Sequence, residues 1–121
     1  MTEQRVLVVE DEANIAEVLV SALEDEGYAV RSAADGREAL DVLRTWAPRV
    51  VLLDMMLPIL DGWALLEQWR RERLAPDARV VVVSAARSAP TITRAEPRIA
   101  AVIPKPFDLN HVLTTVAGLL S

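Results

Sequence analysis

The sequence predicts an α/β domain in which a five-stranded parallel sheet is covered by helices on both faces. Three observations point there. A short β-branched run, a polar turn and a segment of helical apolar spacing recur about five times along the chain. The runs that open these units are almost wholly apolar, as expected of parallel strands buried on both sides. The chain has 121 residues, 52% of them hydrophobic and 26% charged, which suits one domain (1–121) with a sizeable core.

The first run is 6–9. Ile15, Val18, Leu19, Ala22 and Leu23 then follow helical spacing, and Gly27 supplies a C-terminal stop. A weaker strand at 29–33 leads to Asp35, with Glu38 three residues on as a capping box. Ala39, Val42, Leu43 and Trp46 mark the next helical face, which Pro48 ends. The third strand is 50–53. Asp61 caps a helix that turns Leu65, Leu66 and Trp69 to one side. Four consecutive valines, 80–83, make the clearest strand. Residues 85–100 should hold a fourth helix, but Pro90 and Pro97 limit it and Thr91, Ile92 and Thr93 are poor helix formers. It is therefore expected to be short or irregular. A fifth strand at 101–103 precedes a last helix capped by Asp108, with Val112, Leu113, Val116 and Leu120 inward. Five such units with right-handed crossovers suggest a flavodoxin-like sheet of order 2-1-3-4-5, since a barrel needs eight.

Composition removes several function classes. The net charge of −5 speaks against a nucleic-acid or anionic-membrane partner. The absence of cysteine excludes disulfides, thiolate zinc sites and thiol catalysis, and one histidine cannot build a multi-histidine metal site. No apolar run approaches the ~18 residues of a membrane span, and the polar start does not read as a signal peptide. A soluble, cytoplasmic protein is expected. His111, on the last helix, reads as a partly exposed surface residue. Trp46, Trp63 and Trp69 read as covers of helix faces, and Arg70, Arg71 and Arg73 as a solvated helix end.

Parallel strands all end on one edge, and ligands bind there, where strand order reverses. The residues following each run are informative in that light. Glu10, Asp11 and Glu12 follow the first, Asp54 the third, Ser84 the fourth and Lys105 the fifth. Glu10, Asp11 and Asp54 would repel one another if the first and third strands are neighbours, and a hard cation such as Mg²⁺ would relieve that repulsion. The acidic run reads equally well as a solvated turn. Lys105 is the only lysine beside twelve arginines, and it sits between Pro104 and Pro106. The two prolines stiffen the chain around it, and Pro106 is a candidate for the cis form. A charge at Asp54, directly after an apolar strand, is costly unless it lies at an open edge or is paired.

Four pieces, VLVVEDE (6–12), LLDMMLPILDG (52–62), VVVVSA (80–85) and PKPF (104–107), occur in this order and end these strands. Together they make the chain resemble a response-regulator receiver domain of two-component signalling, similar to the stand-alone chemotaxis regulator, over essentially its whole length. The resemblance implies that Asp54 is the phosphoacceptor, taking a phosphoryl group from a sensor histidine kinase or a histidine phosphotransfer protein. It implies Mg²⁺ bound by Asp11 and Asp54, by Glu10 through water, and by the backbone carbonyl of Met56. Ser84 would bond a phosphoryl oxygen, with the small Ala85 leaving room, and Lys105 would pair with the phosphoryl group. Pro58 and Gly62 would shape the loop after Asp54.

Such a domain is a phosphorylation-activated switch rather than an enzyme acting on a separate substrate. It catalyses its own phosphorylation and dephosphorylation, and signals to a downstream protein or effector domain as a monomer or a phosphorylation-dependent dimer. In the family a Tyr or Phe usually stands three residues before the lysine; here it is Val102. With the proline-marked segment, this leaves a second reading, a receiver-like interaction module with atypical or phosphorylation-independent output. An aspartate-nucleophile phosphatase normally needs an acid two residues after the nucleophile, where Met56 stands. An FMN carrier needs a glycine- or hydroxyl-rich loop where Glu10–Glu12 would repel phosphate.

Overall fold

A computed structural model describes residues 3–85 and 96–121, with the backbone alone for Ala85. Its five strands are β1 (Arg5–Val9), β2 (Ala29–Ala33), β3 (Val50–Leu53), β4 (Arg79–Ala85) and β5 (Ile99–Lys105). Its described helices are α1 (Ala13–Asp25), α2 (Gly36–Trp46), α3 (Gly62–Glu72) and the last one, α4 (Leu109–Leu120). The strands form one parallel sheet in the order β2-β1-β3-β4-β5, as the repeating units predict. The fourth helix expected between β4 and β5 falls mainly on residues 86–95, outside the described residues.

Side chains alternate across a strand, so each central strand feeds two cores. Leu7, Val9, Val51, Leu53, Val80 and Val82 face α2 and α3, where Leu40, Leu43, Leu65, Leu66 and Trp69 meet them. Val6, Val8, Val50, Leu52, Val81 and Val83 face α1 and α4, meeting Leu19, Leu23, Val112 and Val116. This is why the strand runs are continuously apolar. On α1 the spacing proves only partly inward. Leu19 and Leu23 are buried, but Val18 is 50% exposed because it lies one residue off the stripe that meets the sheet.

Helix ends follow the local signals. Asp35 Oδ1 accepts from the Glu38 N–H at 2.8 Å and Asp61 Oδ1 from the Ala64 N–H at 2.9 Å. Asp108 likewise accepts from Asn110. Gly27, at φ 94°, follows α1 as the stop. Strand β5 runs further in both directions than its apolar centre suggested, because ladder pairing with β4 starts at Val80–Ile99 and continues through Ser84–Pro104 and Ala85–Lys105. Trp46 and Trp69 are buried, and both carry arginine on their rings: Arg31 lies 4.7 Å from the Trp46 centroid and Arg98 4.8 Å from that of Trp69. Of the predicted solvated helix end, Arg70, Arg71 and Arg73 are all exposed.

The loop after β3 is positioned by close backbone approach. A Cβ on Gly36 would stand 2.1 Å from the Leu60 carbonyl oxygen, whereas one on Gly118 would meet nothing within 4 Å. Gly36→Ala should therefore lower stability by about 1–3 kcal/mol through overpacking. Gly118→Ala should raise it by up to about 1 kcal/mol through helix propensity. Urea denaturation of both variants checks the pair, and equal effects would contradict this packing.

Candidate functional site

The ladder carries the chemistry to one edge. The Glu10 N–H donates to the Ala33 carbonyl at 3.0 Å and the Asp54 N–H to the Val9 carbonyl at 3.1 Å. These are the last rungs at the C-terminal ends of β2, β1 and β3, and they set Glu10 and Asp54 side by side at the reversal of strand order. Lys105 reaches the same point from the end of β5. The Lys105–Pro106 peptide is cis, the form for which Pro106 was a candidate.

Lys105 Nζ donates to Glu10 Oε2 at 2.9 Å and to Asp54 Oδ2 at 3.0 Å. Both carboxylates are nearly closed to solvent, Glu10 at 4% exposure and Asp54 at 6%. Taking an ion out of water costs several kcal/mol even after relaxation, so two adjacent buried carboxylates without a cation would be strongly disfavoured. The remaining oxygens are also held. Asp54 Oδ1 accepts from the Met56 N–H at 2.9 Å, and Glu10 Oε1 from the Glu12 N–H at 3.3 Å. Burial holds the Glu10 carboxyl above its ordinary value of 4.5; the bonds from Lys105 and Glu12 offset part of that rise, while the Asp54 charge adds to it. Burial would lower the Lys105 ammonium, but its hydrogen bonds to Glu10 and Asp54 outweigh that and leave it above 10.5.

Asp11 lies beside them, exposed. One carboxylate oxygen from each of Glu10, Asp11 and Asp54 falls within 4.8 Å of the others. Three hard oxygen donors at that spacing, with an open side at Asp11, fit a hard divalent cation. A cavity of about 490 Å³ opens there, bounded by Asp11, Met55, Met56, Leu57, Pro58, Asp61, Trp63 and Ser84. Ser84, at the end of β4, is buried in its wall, and Trp63 is 42% exposed at its edge.

All six residues singled out from the sequence, Glu10, Asp11, Asp54, Met56, Ser84 and Lys105, thus come to this edge. The acidic run divides: Glu10 is buried and paired, while Asp11 and Glu12 are exposed. The sequence reading missed the direct Glu10–Lys105 pair. A lone lysine locked between two prolines was the available signal. It also missed the backbone of Ile59 in the loop after Asp54, which has φ 68°. His111 is exposed on α4, as expected of a surface residue. The side chain of Ala85 lies outside the described residues.

The chain matches the response regulator receiver domain family over residues 6–117. Response regulator MprA of Mycolicibacterium vanbaalenii is 37% identical over 96% of this chain and 50% of its own length. Among solved structures, the receiver domain of Francisella response regulator 1452 superposes with a TM-score of 0.85 at 30% identity, covering 97% of this chain and 96% of that one. The receiver domain of NtrX from Brucella abortus gives 0.83 at 34% identity, covering 95% and 97%. The chain spans about a third to a half of the length of the curated relatives it matches. No helix among the described residues is long and apolar enough to cross a membrane.

The pairing makes a pH-dependent prediction. A group whose folded value is raised contributes stability that is complete below its unfolded value and lost as pH rises through the folded one. Ionising Glu10 above pH 4.5 therefore costs stability, and Lys105 limits that cost. Lys105→Ala should destabilise by about 2 kcal/mol near neutral pH. The gap to wild type should shrink as pH falls toward 4.5 and the carboxyl protonates. Urea midpoints at pH 4.5 and 7.5 measure this, and a pH-independent gap would contradict the pairing.

Proposed function

Because the chain belongs to the response regulator receiver domain family, we propose that its Asp54 accepts a phosphoryl group from the phosphohistidine of a sensor kinase or phosphotransfer protein. On this reading the chain is a phosphorylation-controlled switch acting on a downstream protein or effector domain. The observation that carries it is the convergence of Glu10, Asp11 and Asp54 within 4.8 Å, with the only lysine of the chain 3.0 Å from Asp54.

In the transfer an oxygen of Asp54 attacks phosphorus as the N–P bond of the phosphoimidazole breaks. The imidazole nitrogen leaves with the electron pair and takes a proton from solvent. Attacking group and phosphoryl group are both anionic, so charge balance and positioning dominate the barrier. Lys105 offsets charge on Asp54 Oδ2, and the Met56 N–H fixes the carboxylate through Oδ1. Glu10, Asp11 and Asp54, with the carbonyl of Met56, would hold Mg²⁺, which when bound neutralises charge shared between the carboxylate and the phosphoryl oxygens. Ser84, in the cavity wall, donates its hydroxyl to a phosphoryl oxygen. Water entering the same cavity hydrolyses the acyl phosphate and resets the switch.

Movement of Ser84 toward the new group biases a two-state surface. Val102 is half-buried against the α2–α3 core and registers with Val82 on β4, two residues before Ser84. A small β-branched side chain there favours a smaller packing change than an aromatic would give. With the proline-marked 85–100 segment of the sequence, this keeps a phosphorylation-independent interaction module as a second reading.

Incubation with Mg²⁺ and acetyl phosphate should add a single phosphoryl group to wild type and none to Asp54→Asn, read by intact-mass and peptide-mapping spectrometry. Chelating the metal should abolish labelling. Labelling that persists in Asp54→Asn would overturn the assignment.

A further inference from the structure

A cavity of about 520 Å³ lies at the edge of the sheet opposite Asp54. The end of α3, the loop into β4 and the residues just before β5 enclose it. Its apolar wall is Trp69, Leu74, Pro76 and Pro97. Its charged groups are three arginines, Arg70, Arg73 and Arg98, against one acid, Glu96. The loop turns back through two left-handed residues, Arg73 at φ 54° and Ala75 at φ 36°, which flank Leu74. Trp69 is buried, and its indole N–H donates to the Leu74 carbonyl at 2.6 Å.

Charge in this cavity is not balanced. Arg98 is committed: Nε donates to Glu96 Oε1 and Nη2 to Glu96 Oε2, both at 2.9 Å, and Nη2 also to the Leu66 carbonyl at 2.8 Å. Glu96 is equally committed, and the bond from Arg98 holds its carboxyl below the ordinary 4.5. Arg70 and Arg73 are exposed and enter no ion pair among the described residues. Cations are favoured at a helix C-terminus, where carbonyls lie free. Here the Arg70 carbonyl accepts from the Arg73 N–H, the Trp69 carbonyl from the Leu74 N–H and the Leu66 carbonyl from Arg98. The guanidinium groups of Arg70 and Arg73 are therefore not consumed in capping these carbonyls. The sequence of 86–95, which precedes Glu96, holds two arginines and no acid, so it does not supply the missing charge.

We propose that this cavity binds a small aromatic anion, of the aryl carboxylate class, with its ring against Leu74, Pro76 and Pro97 and its charged group on Arg70 and Arg73. The volume lies within the range of small-molecule sites. A guanidinium matches a carboxylate with two parallel hydrogen bonds. The proline rings and Leu74 take the ligand's ring out of water. The site stands apart from the acceptor chemistry, because it shares no lining residue with the cavity beside Asp54.

Titration of the isotope-labelled full chain with naphthoate, followed by nitrogen–proton correlation spectra, tests this. The three tryptophans give three indole N–H resonances. That of Trp69 should shift saturably, and those of Trp46 and Trp63 should not. Naphthamide, of similar shape without the charge, should bind about tenfold more weakly. Naphthoate should lose about the same factor on the Arg70→Gln/Arg73→Gln double variant, where its advantage over naphthamide should disappear. Both arginines are exposed, so the double variant should keep the wild-type urea midpoint. No saturable Trp69 shift at about millimolar naphthoate would overturn the proposal. Equal affinity for the two compounds, undiminished binding to the double variant, or shifts confined to Trp46 or Trp63 would overturn it as well.

Discussion

Lys105 stands between two carboxylates that could not otherwise share a buried edge. Its ammonium lies 2.9 Å from Glu10 and 3.0 Å from Asp54, and neither acid has water enough to solvate its charge. Desolvating each ion costs several kcal/mol, and the pairing offsets much of that cost where the strands end. The same arrangement explains why one oxygen of Asp54 is bound to a cation and the other to a backbone N–H. The carboxylate is held in a single orientation before any reaction partner arrives.

Much of this was legible in the residues. Strand order followed from five repeating units, and the two-faced cores from the uninterrupted valine and leucine runs. The convergence of Glu10, Asp11, Asp54, Ser84 and Lys105 followed from their places at strand ends, because a parallel sheet brings all such ends to one edge. Other features depend on tertiary facts that a linear pattern does not encode. Val18 fits a helical stripe yet faces outward, since the stripe that meets the sheet is narrower than the apolar spacing suggests. Glu10 and Glu12 are the same residue type two places apart, but only Glu10 lies where Lys105 arrives. Strand β5 is longer than its hydrophobic centre because backbone pairing with β4, not side-chain polarity, decides where it ends. Ile59 offered no signal, for isoleucine is among the last residues one would assign to positive φ.

Charge and apolar surface divide the work at the rim. On the inner side, acids and the single lysine set the electrostatics at Asp54. On the outer side, Met56, Ile59 and Trp63 turn apolar surface to solvent, Met56 and Trp63 from the wall of the cavity beside the site. Gly36 and Gly62 permit this second arrangement by letting the loop after β3 press backbone to backbone. A Cβ on Gly62 would stand 2.7 Å from the Cα of Met55, next to Asp54 itself. The loop that exposes Met56 and Ile59 is thus joined to Asp54 over very few residues.

The central claim is that Glu10, Asp11 and Asp54 form one cation site at the C-terminal edge of the sheet. Crystals grown or soaked with Mn²⁺, a hard ion that substitutes for Mg²⁺ and scatters anomalously, measure this directly. One strong anomalous peak among the carboxylates of Asp11 and Asp54, with Glu10 close by, is the result this account predicts. A peak elsewhere on the surface, or none there at saturating Mn²⁺, would contradict it.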